Sequence, residues 1–560
     1  MSGKYTTFFL FRSDRTHLQV FFIPLHFICS VYGLVVFRSF LLTFNGLCGC
    51  KNDNQERQTM GVIAKQSIKG ALANYIGIAI GFVTTFFVVT DCLTREELGL
   101  TRVLVDAALL FSGLAQLGTN ASIIRYYPYF KDSEHRDHGF FGWTLLLPFI
   151  GFSLFAILFL VFKDPIMGIY SKESPLVVDY FYLVLPFTFF ALYLTVFETN
   201  CSVLMHITVP KAVRECGIRL LNLVAYLLYG HDIISFDLFV VFFCSSYALA
   251  ALVDFLYLLS LGRISFKIDR HFVSRRLLKQ IVLYTLFMTA TILAGNIPLI
   301  NSLFLGAKTG LTLAGVYTIA SYIANIVEVP YRSLGAISQP MISQAVKENN
   351  WREVNRLGQQ VSLHQLLVAC LIFFFIWINL DALFTLIPHG DEYRGGMGVV
   401  FFLGLAKIVN SSFSIGTNIL NFSNRYPVSL VFITVLTVSA IVFNNELIPL
   451  WGVNGSACAT LFSYLIYFLL LLSYLYFRLK VNIFSSPQIK VVLFICVLFA
   501  VNALWGWGVT PLFGGHHVFI DALCRSLLFL VVVPVAVYHL HFSIPINQMM
   551  DKLVSRLRKK

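Results

Sequence analysis

From Ala71 to Thr90 nearly every residue is apolar, and Lys65 and Lys69 lie just ahead of the run. At ~1.5 Å per residue such a stretch crosses the ~30 Å of bilayer hydrocarbon. A polar turn from Asp91 to Glu97 leads into a second apolar run, about Leu98 to Ile124, which ends in the basic, aromatic boundary Arg125-Tyr126-Tyr127-Pro128. This alternation predicts a membrane hairpin, and it recurs down the chain. From Met60 onward the hydropathy predicts about fourteen spans, near 71–90, 99–124, 140–162, 177–205, 211–229, 236–261, 280–305, 311–335, 360–387, 397–420, 428–445, 452–477, 489–508 and 518–540. No connection is long enough to fold as a separate domain, so the predicted class is an all-α polytopic membrane protein.

Composition agrees: 58% of residues are hydrophobic and 12% charged, too little polar surface for a soluble fold of 560 residues. The net charge of +13 does not indicate nucleic acid, because the basic residues are spread between the apolar runs and form no single patch. Anionic membrane lipid and topology account for them better. Connections on the side of Lys65 and Lys69 carry Arg125, Lys131, Arg136, Lys211, Arg214, the cluster Arg263 to Lys279, Lys347, Arg352, Arg356, Arg425, Arg478, Lys480 and Lys490, and the tail ends in Arg558-Lys559-Lys560. Opposite connections hold only Arg95, Lys163, Lys172, Lys308 and Arg394. The basic face is therefore expected to be cytoplasmic, with both ends of the fourteen-span unit on it.

Residues 1–59 fit this scheme least. Leu18 to Val36 is apolar, but basic residues flank it on both sides and no small-residue cleavage site follows, which argues against a signal peptide. The expectation is a start-site artefact with translation beginning near Met60; an extra membrane or interfacial helix is the alternative.

The chain also repeats. Leu98-Gly99 answers Ala314-Gly315, Thr199-Asn200 with Pro210 answers Thr417-Asn418 with Pro427, and Tyr247 answers Tyr464, all at offsets of about 217 residues. Six spans, an even number, separate the equivalents, so the halves share one orientation and are related by an axis along the membrane normal. The expected organisation is a leader (1–59), a six-helix lobe (60–262), a basic inter-lobe linker (263–279), a second six-helix lobe (280–479) and two extra helices with a basic tail (480–560). Lobes so related imply a transporter with a central cavity between them.

Specific stretches carry a resemblance. Lys69-Gly70-Ala71-Leu72-Ala73-Asn74-Tyr75-Ile76-Gly77, the turn Glu96-Glu97-Leu98-Gly99, Leu117-Gly118 with Arg125-Tyr126-Tyr127, and Gly452-Val453-Asn454-Gly455-Ser456-Ala457-Cys458-Ala459-Thr460 resemble the polysaccharide flippase branch of the multidrug/oligosaccharidyl-lipid/polysaccharide exporter superfamily. The resemblance implies two lobes around a cavity that opens alternately to either side. It also implies a cargo, undecaprenyl-pyrophosphate-linked oligosaccharide moved across the bacterial inner membrane for surface polysaccharide or O-antigen, with a polymerase or export machinery as partner.

A pyrophosphate with about two negative charges cannot cross hydrocarbon uncompensated, so such a cavity should be cationic. Arg offers phosphate a planar fork and Lys a compact charge, while Asn, Ser and Tyr can bind sugar hydroxyls. Lys407, in mid-span with no carboxylate one turn away, heads the candidates, with Asn410, Ser411 and Ser414 forming a polar stripe beside it; an inter-helix ion pair to Glu198 or Asp254 is the structural alternative. Arg219 and Arg332 follow, discounted because Glu215–Arg219 and Glu328–Arg332, like Arg102–Asp106, are spaced i,i+4 and can self-neutralise. Lys65, Lys69 and Arg125 lie at the basic mouth, and Asn74 is a further cavity candidate. Glu198 and Asp254 are candidates for a coupling ion, and Asp381 and Arg525 read as charges without a helical partner.

Enzyme readings fare worse. A membrane polysaccharide polymerase or glycosyltransferase needs a sizeable external loop with catalytic residues, and these connections are short. The eleven cysteines are scattered, His135 and His138 lack further ligands, and no Walker-type glycine loop occurs. No catalytic residue, metal or cofactor is therefore expected. A cation-coupled multidrug exporter of the same superfamily is the main alternative; it would select cations with buried acids, whereas the central unpaired charge here is basic.

Overall fold

The computed structural model describes residues 76–132, 136–262, 274–295, 297–510 and 518–540. The leader, Lys69 and Asn74 lie outside them, as do most of the linker, the basic tail and the side chain of Arg332. Among the described residues every regular element is helical, and each expected span coincides with a helix or a broken pair of helices.

The first lobe comprises α1 (Ile76–Cys92), α2 (Arg95–Ala115), α3 (Thr119–Phe130), α4 (Phe140–Val161), α5 (Val184–Val203), α6 (Ile218–Gly230) and α7 (Phe236–Ser260). The second comprises α8 (Arg275–Gly295), α9 (Ile297–Thr309), α10 (Leu311–Asn325), α11 (Val329–Lys347), α12 (Trp351–Ile378), α13 (Met397–Phe422) and α14 (Pro427–Tyr474). Two further helices, α15 (Ser486–Gly508) and α16 (Val518–His539), end the described chain. Local chemistry sets these boundaries. Thr94 and Glu97 form a reciprocal capping box that starts α2, with Thr94 N to Glu97 Oε2 at 2.8 Å. Spans eleven and twelve, expected with a short connection between 445 and 452, have none: the helical hydrogen bonding runs on to Gly452, whose φ of 54° reverses the chain inside α14.

The lobes meet where α2 and α10 begin. A Cβ on Gly99 would lie 2.0 Å from the Leu311 carbonyl oxygen, and a Cβ on Gly315 would lie 2.1 Å from that of Arg95. Each glycine thus faces the residue four positions before the other, so the contact is its own mirror under the repeat offset. It lies on the internal two-fold axis expected from the sequence and joins the lobes at the face opposite the basic one. Arg95 and Glu392 reinforce it with a 2.9 Å ion pair, and Tyr170 and Ser174 donate across it to the carbonyls of Leu303 and Gly306 at 3.1 and 2.5 Å.

Helices α15 and α16 pack chiefly on α12. Val491, Ile495, Leu498, Phe529 and Val533 bury there against Leu366, Cys370, Phe374 and Phe375. Gln488 donates to Ser362 at 2.8 Å and Ser526 to Asn379 at 3.0 Å across this packing.

Candidate functional site

A cavity of about 410 Å³ lies inward of the Gly99–Gly315 contact, between α1, α2, α6 and α10. Its polar lining includes Arg102, Glu215, Arg219, Asn222, Tyr322 and Asn325. Helix α1 makes room for it. Gly77 and Gly81 share one face, and the chain ahead of α6 presses so close that a Cβ on Gly77 would lie 2.6 Å from the Glu215 carbonyl oxygen. A Cβ on Gly81 would lie 2.8 Å from Arg219 Nη1. These two glycines admit the Arg219 guanidinium, which donates to the Gly77 carbonyl and, at 3.2 Å, to Glu215. The π-helical stretches Thr84–Val89 in α1 and Val213–Gly217 before α6 flank the same space, a distortion often found at functional sites.

Arg102 occupies the other wall. Its Nε is 2.7 Å from Asp106 Oδ2, and its guanidinium stacks over the Tyr322 ring at 5.5 Å. Asp106, 1% exposed, also accepts from Ser302 of the second lobe at 2.5 Å. The cavity thus presents two guanidiniums and one carboxylate, ringed by amides and hydroxyls, with the Asn222 carbonyl oxygen unpartnered among the described residues.

The remaining sequence candidates separate. Lys407 and Asn410 do not line this cavity. Lys407, 5% exposed, donates to Glu328 Oε2 at 3.1 Å, and Asn410 donates to Glu328 Oε1 at 2.8 Å, so one carboxylate holds both. The partner of Lys407 is thus neither Glu198 nor Asp254. Glu328, expected to pair with Arg332 at i,i+4, ends the 3-10 turn Ile326–Glu328 between α10 and α11 and meets Lys407; the Arg332 side chain lies outside the described residues. Ile326 and Val329 line the cavity while Glu328 turns back to Lys407, which places the triad behind the cavity wall.

Glu198 is paired with Arg214, whereas Asp254, 0% exposed, has neither oxygen hydrogen-bonded among the described residues. Arg125 is exposed and stacks over Tyr284 of α8 at 4.3 Å. Arg525 does have a helical partner, Asp521 four residues earlier, and Asp381 reaches Arg394 at 3.5 Å. Sequence reasoning set Arg102 aside with its i,i+4 acid and passed over Tyr322 and Asn222. The signal that could have recovered Arg102 is its place one turn beyond the repeat glycine Gly99, on the helix that faces the other lobe.

The chain shares this architecture with solved transporters at low sequence identity. The lipid II flippase MurJ in an inward closed conformation is 13% identical, with a TM-score of 0.64 over 84% of this chain and 99% of that one. An inward-facing multidrug resistance MATE family transporter of the MOP superfamily is 16% identical, with a TM-score of 0.53 over 74% of this chain and 96% of that one. A MOP superfamily transporter from Pyrococcus furiosus, described by the reverse polarity of its binding pocket, is 17% identical, with a TM-score of 0.51 over 75% of this chain and 95% of that one. Among curated proteins, an uncharacterized membrane protein of Methanocaldococcus jannaschii is 25% identical over 233 residues, a match that spans 39% of this chain and 44% of that relative. The family model described as polysaccharide biosynthesis protein matches residues 63–346, half of the chain, and the chain belongs to that family.

Proposed function

We propose that this transporter moves a polyprenyl-pyrophosphate-linked oligosaccharide, undecaprenyl-linked in a bacterial host, across the inner membrane for surface polysaccharide or O-antigen assembly. The observation that carries the reading is the placing of Arg102 and Arg219 in one membrane-embedded cavity between the lobes. Two guanidiniums suit the paired oxygens of a pyrophosphate, which would compete with Asp106 and Glu215 for them. Asn222, Asn325 and Tyr322 supply the neutral donors and acceptors that sugar hydroxyls need. The one acid in the lining, Glu215, is engaged by Arg219, which disfavours a cationic drug as cargo.

Alternating access follows from this layout. The lobes touch opposite the basic face through the Gly99–Gly315 contact and its apolar surround, and on the basic face through α3 against α8, where the Ser122 and Thr285 hydroxyls lie 2.7 Å apart; alternating access needs these two joints to part in turn. The basic face is the cytoplasmic one in this reading, and its positive residues gather the anionic headgroup before entry.

Deletion in the native host tests the proposal. Surface polysaccharide should be lost and lipid-linked repeat units should collect on the cytoplasmic side, with resistance to cationic drugs unchanged. The wild-type gene should restore export and an Arg219→Ala variant of equal abundance should not. Normal polysaccharide with new drug sensitivity would overturn the reading in favour of a multidrug exporter.

A further inference from the structure

We propose that Arg102 and Asp106 form a relay that reports cavity occupancy to the joint between the lobes; this rests on an anionic cargo, and so on the reading above. Asp106 has two jobs. It is the counter-charge of the cavity-lining Arg102, and through the same oxygen it is the acceptor for Ser302 across the lobe interface. Its second oxygen has no hydrogen-bond partner among the described residues. Everything that stabilises this carboxylate is therefore concentrated on one atom, shared between one bond inside the first lobe and one bond between lobes.

Asp106 takes only the Nε hydrogen of Arg102, and a guanidinium has five N–H donors arranged for bidentate contact with phosphate. An anion entering the cavity competes with Asp106 for Arg102 and also repels it. Asp106 would then be a buried carboxylate deprived of its counter-charge, a state that burial strongly disfavours. Relief requires water, and water reaches Asp106 when α2 draws away from α9 and α10. Arg102 lies one turn beyond Gly99, where that separation begins. Occupancy and opening are thereby linked, and linkage is reciprocal: whatever weakens the hold of Asp106 on Arg102 also strengthens anion binding.

The test uses the full chain in lipid nanodiscs with two probes, inorganic pyrophosphate and farnesyl pyrophosphate. Spin labels are attached through a clickable amino acid at positions 172 and 391, whose native side chains are 88% and 92% exposed, one in each lobe. In the parent, probe binding should lengthen the 172–391 distance measured by double electron–electron resonance. Asp106→Asn should bind probe about tenfold tighter, while its distance distribution no longer responds. A merely structural role for Asp106 would weaken binding and blur the distances instead.

Ser302→Ala, a milder change, should open at several-fold lower probe concentration than the parent. An Asp106→Asn protein that opens like the parent would overturn the relay, as would an unshifted Ser302→Ala or a parent that neither probe opens. If inorganic pyrophosphate opens the parent but farnesyl pyrophosphate does not bind, the relay stands and the lipid-linked cargo falls.

Discussion

Replacing Gly99 by alanine should shift the balance between the two lobes more than it disturbs either lobe. The added Cβ would lie 2.0 Å from the Leu311 carbonyl oxygen, where ordinary contact starts at 3.4 Å. The obstacle is backbone on both sides and cannot rotate away, so α2 and α10 must part by ~1.4 Å at this level or strain their own helices. Inserting one carbon into a tight contact costs about 1–3 kcal/mol. Here that cost falls only on the joined state, because the same methyl is unopposed once the lobes separate. Converted to populations it is about 5- to 150-fold in favour of the parted state. Gly315→Ala should match it, since its Cβ would lie 2.1 Å from the Arg95 carbonyl oxygen. The assay is cross-linking by a bismaleimide long enough to replace both side chains between Arg95→Cys and Glu392→Cys, at the site of the 2.9 Å ion pair of the same joint, read through a protease site inserted in the inter-lobe linker. Either alanine should lower the cross-linked fraction at normal membrane abundance. Unchanged cross-linking would refute the claim that these glycines set the lobe spacing, and failure of the variants to accumulate would show a permanent interface.

Lys407→Ala should sharply reduce abundance, because it strands Glu328 in a site where removing one partner of a buried pair costs about 3–5 kcal/mol; the exchange Lys407→Glu with Glu328→Lys should recover much of it, as measured by membrane yield and thermal aggregation. Gly81→Leu should leave insertion intact and abolish export, since its side chain needs the space within 2.8 Å that Arg219 Nη1 occupies; equal export by this variant would separate Arg219 from function. Reporter fusions after Lys560 and near Arg270 should read as cytoplasmic, and those near Lys308 or Gly514 as external. Reversal at Arg270 would sink the orientation assigned from the basic residues.

The spans were legible because a bilayer demands uninterrupted apolar length, and the lobe symmetry because Gly99 and Gly315 must recur where two backbones touch. Partnerships across helices were not. The i,i+4 rule paired Glu328 with Arg332, whose side chain lies outside the described residues, and gave no sign of the bond from Lys407 to Glu328, 79 residues away in sequence. The same rule, rightly applied to Arg102 and Asp106, hid that an arginine can be paired and still line a cavity. Asp521, four residues before Arg525, was within the reach of sequence reasoning and was overlooked. Tyr322 and Asn222 carry no periodic or charge signal, and only the crossing of α2, α6 and α10 brings them together.

The attachment of α15 and α16 to α12 has an electrostatic consequence. The apolar layer they complete includes Val327 and Ile408, the immediate chain neighbours of Glu328 and Lys407. On that flank the ion pair is separated from lipid by protein of fixed polarity and shape in place of mobile acyl chains and the water defects they admit around buried charge. The terminal pair therefore acts as insulation for the second lobe. A chain truncated before Ser486 would keep every residue of the cavity and still leave the Lys407–Glu328 ion pair one layer from the bilayer.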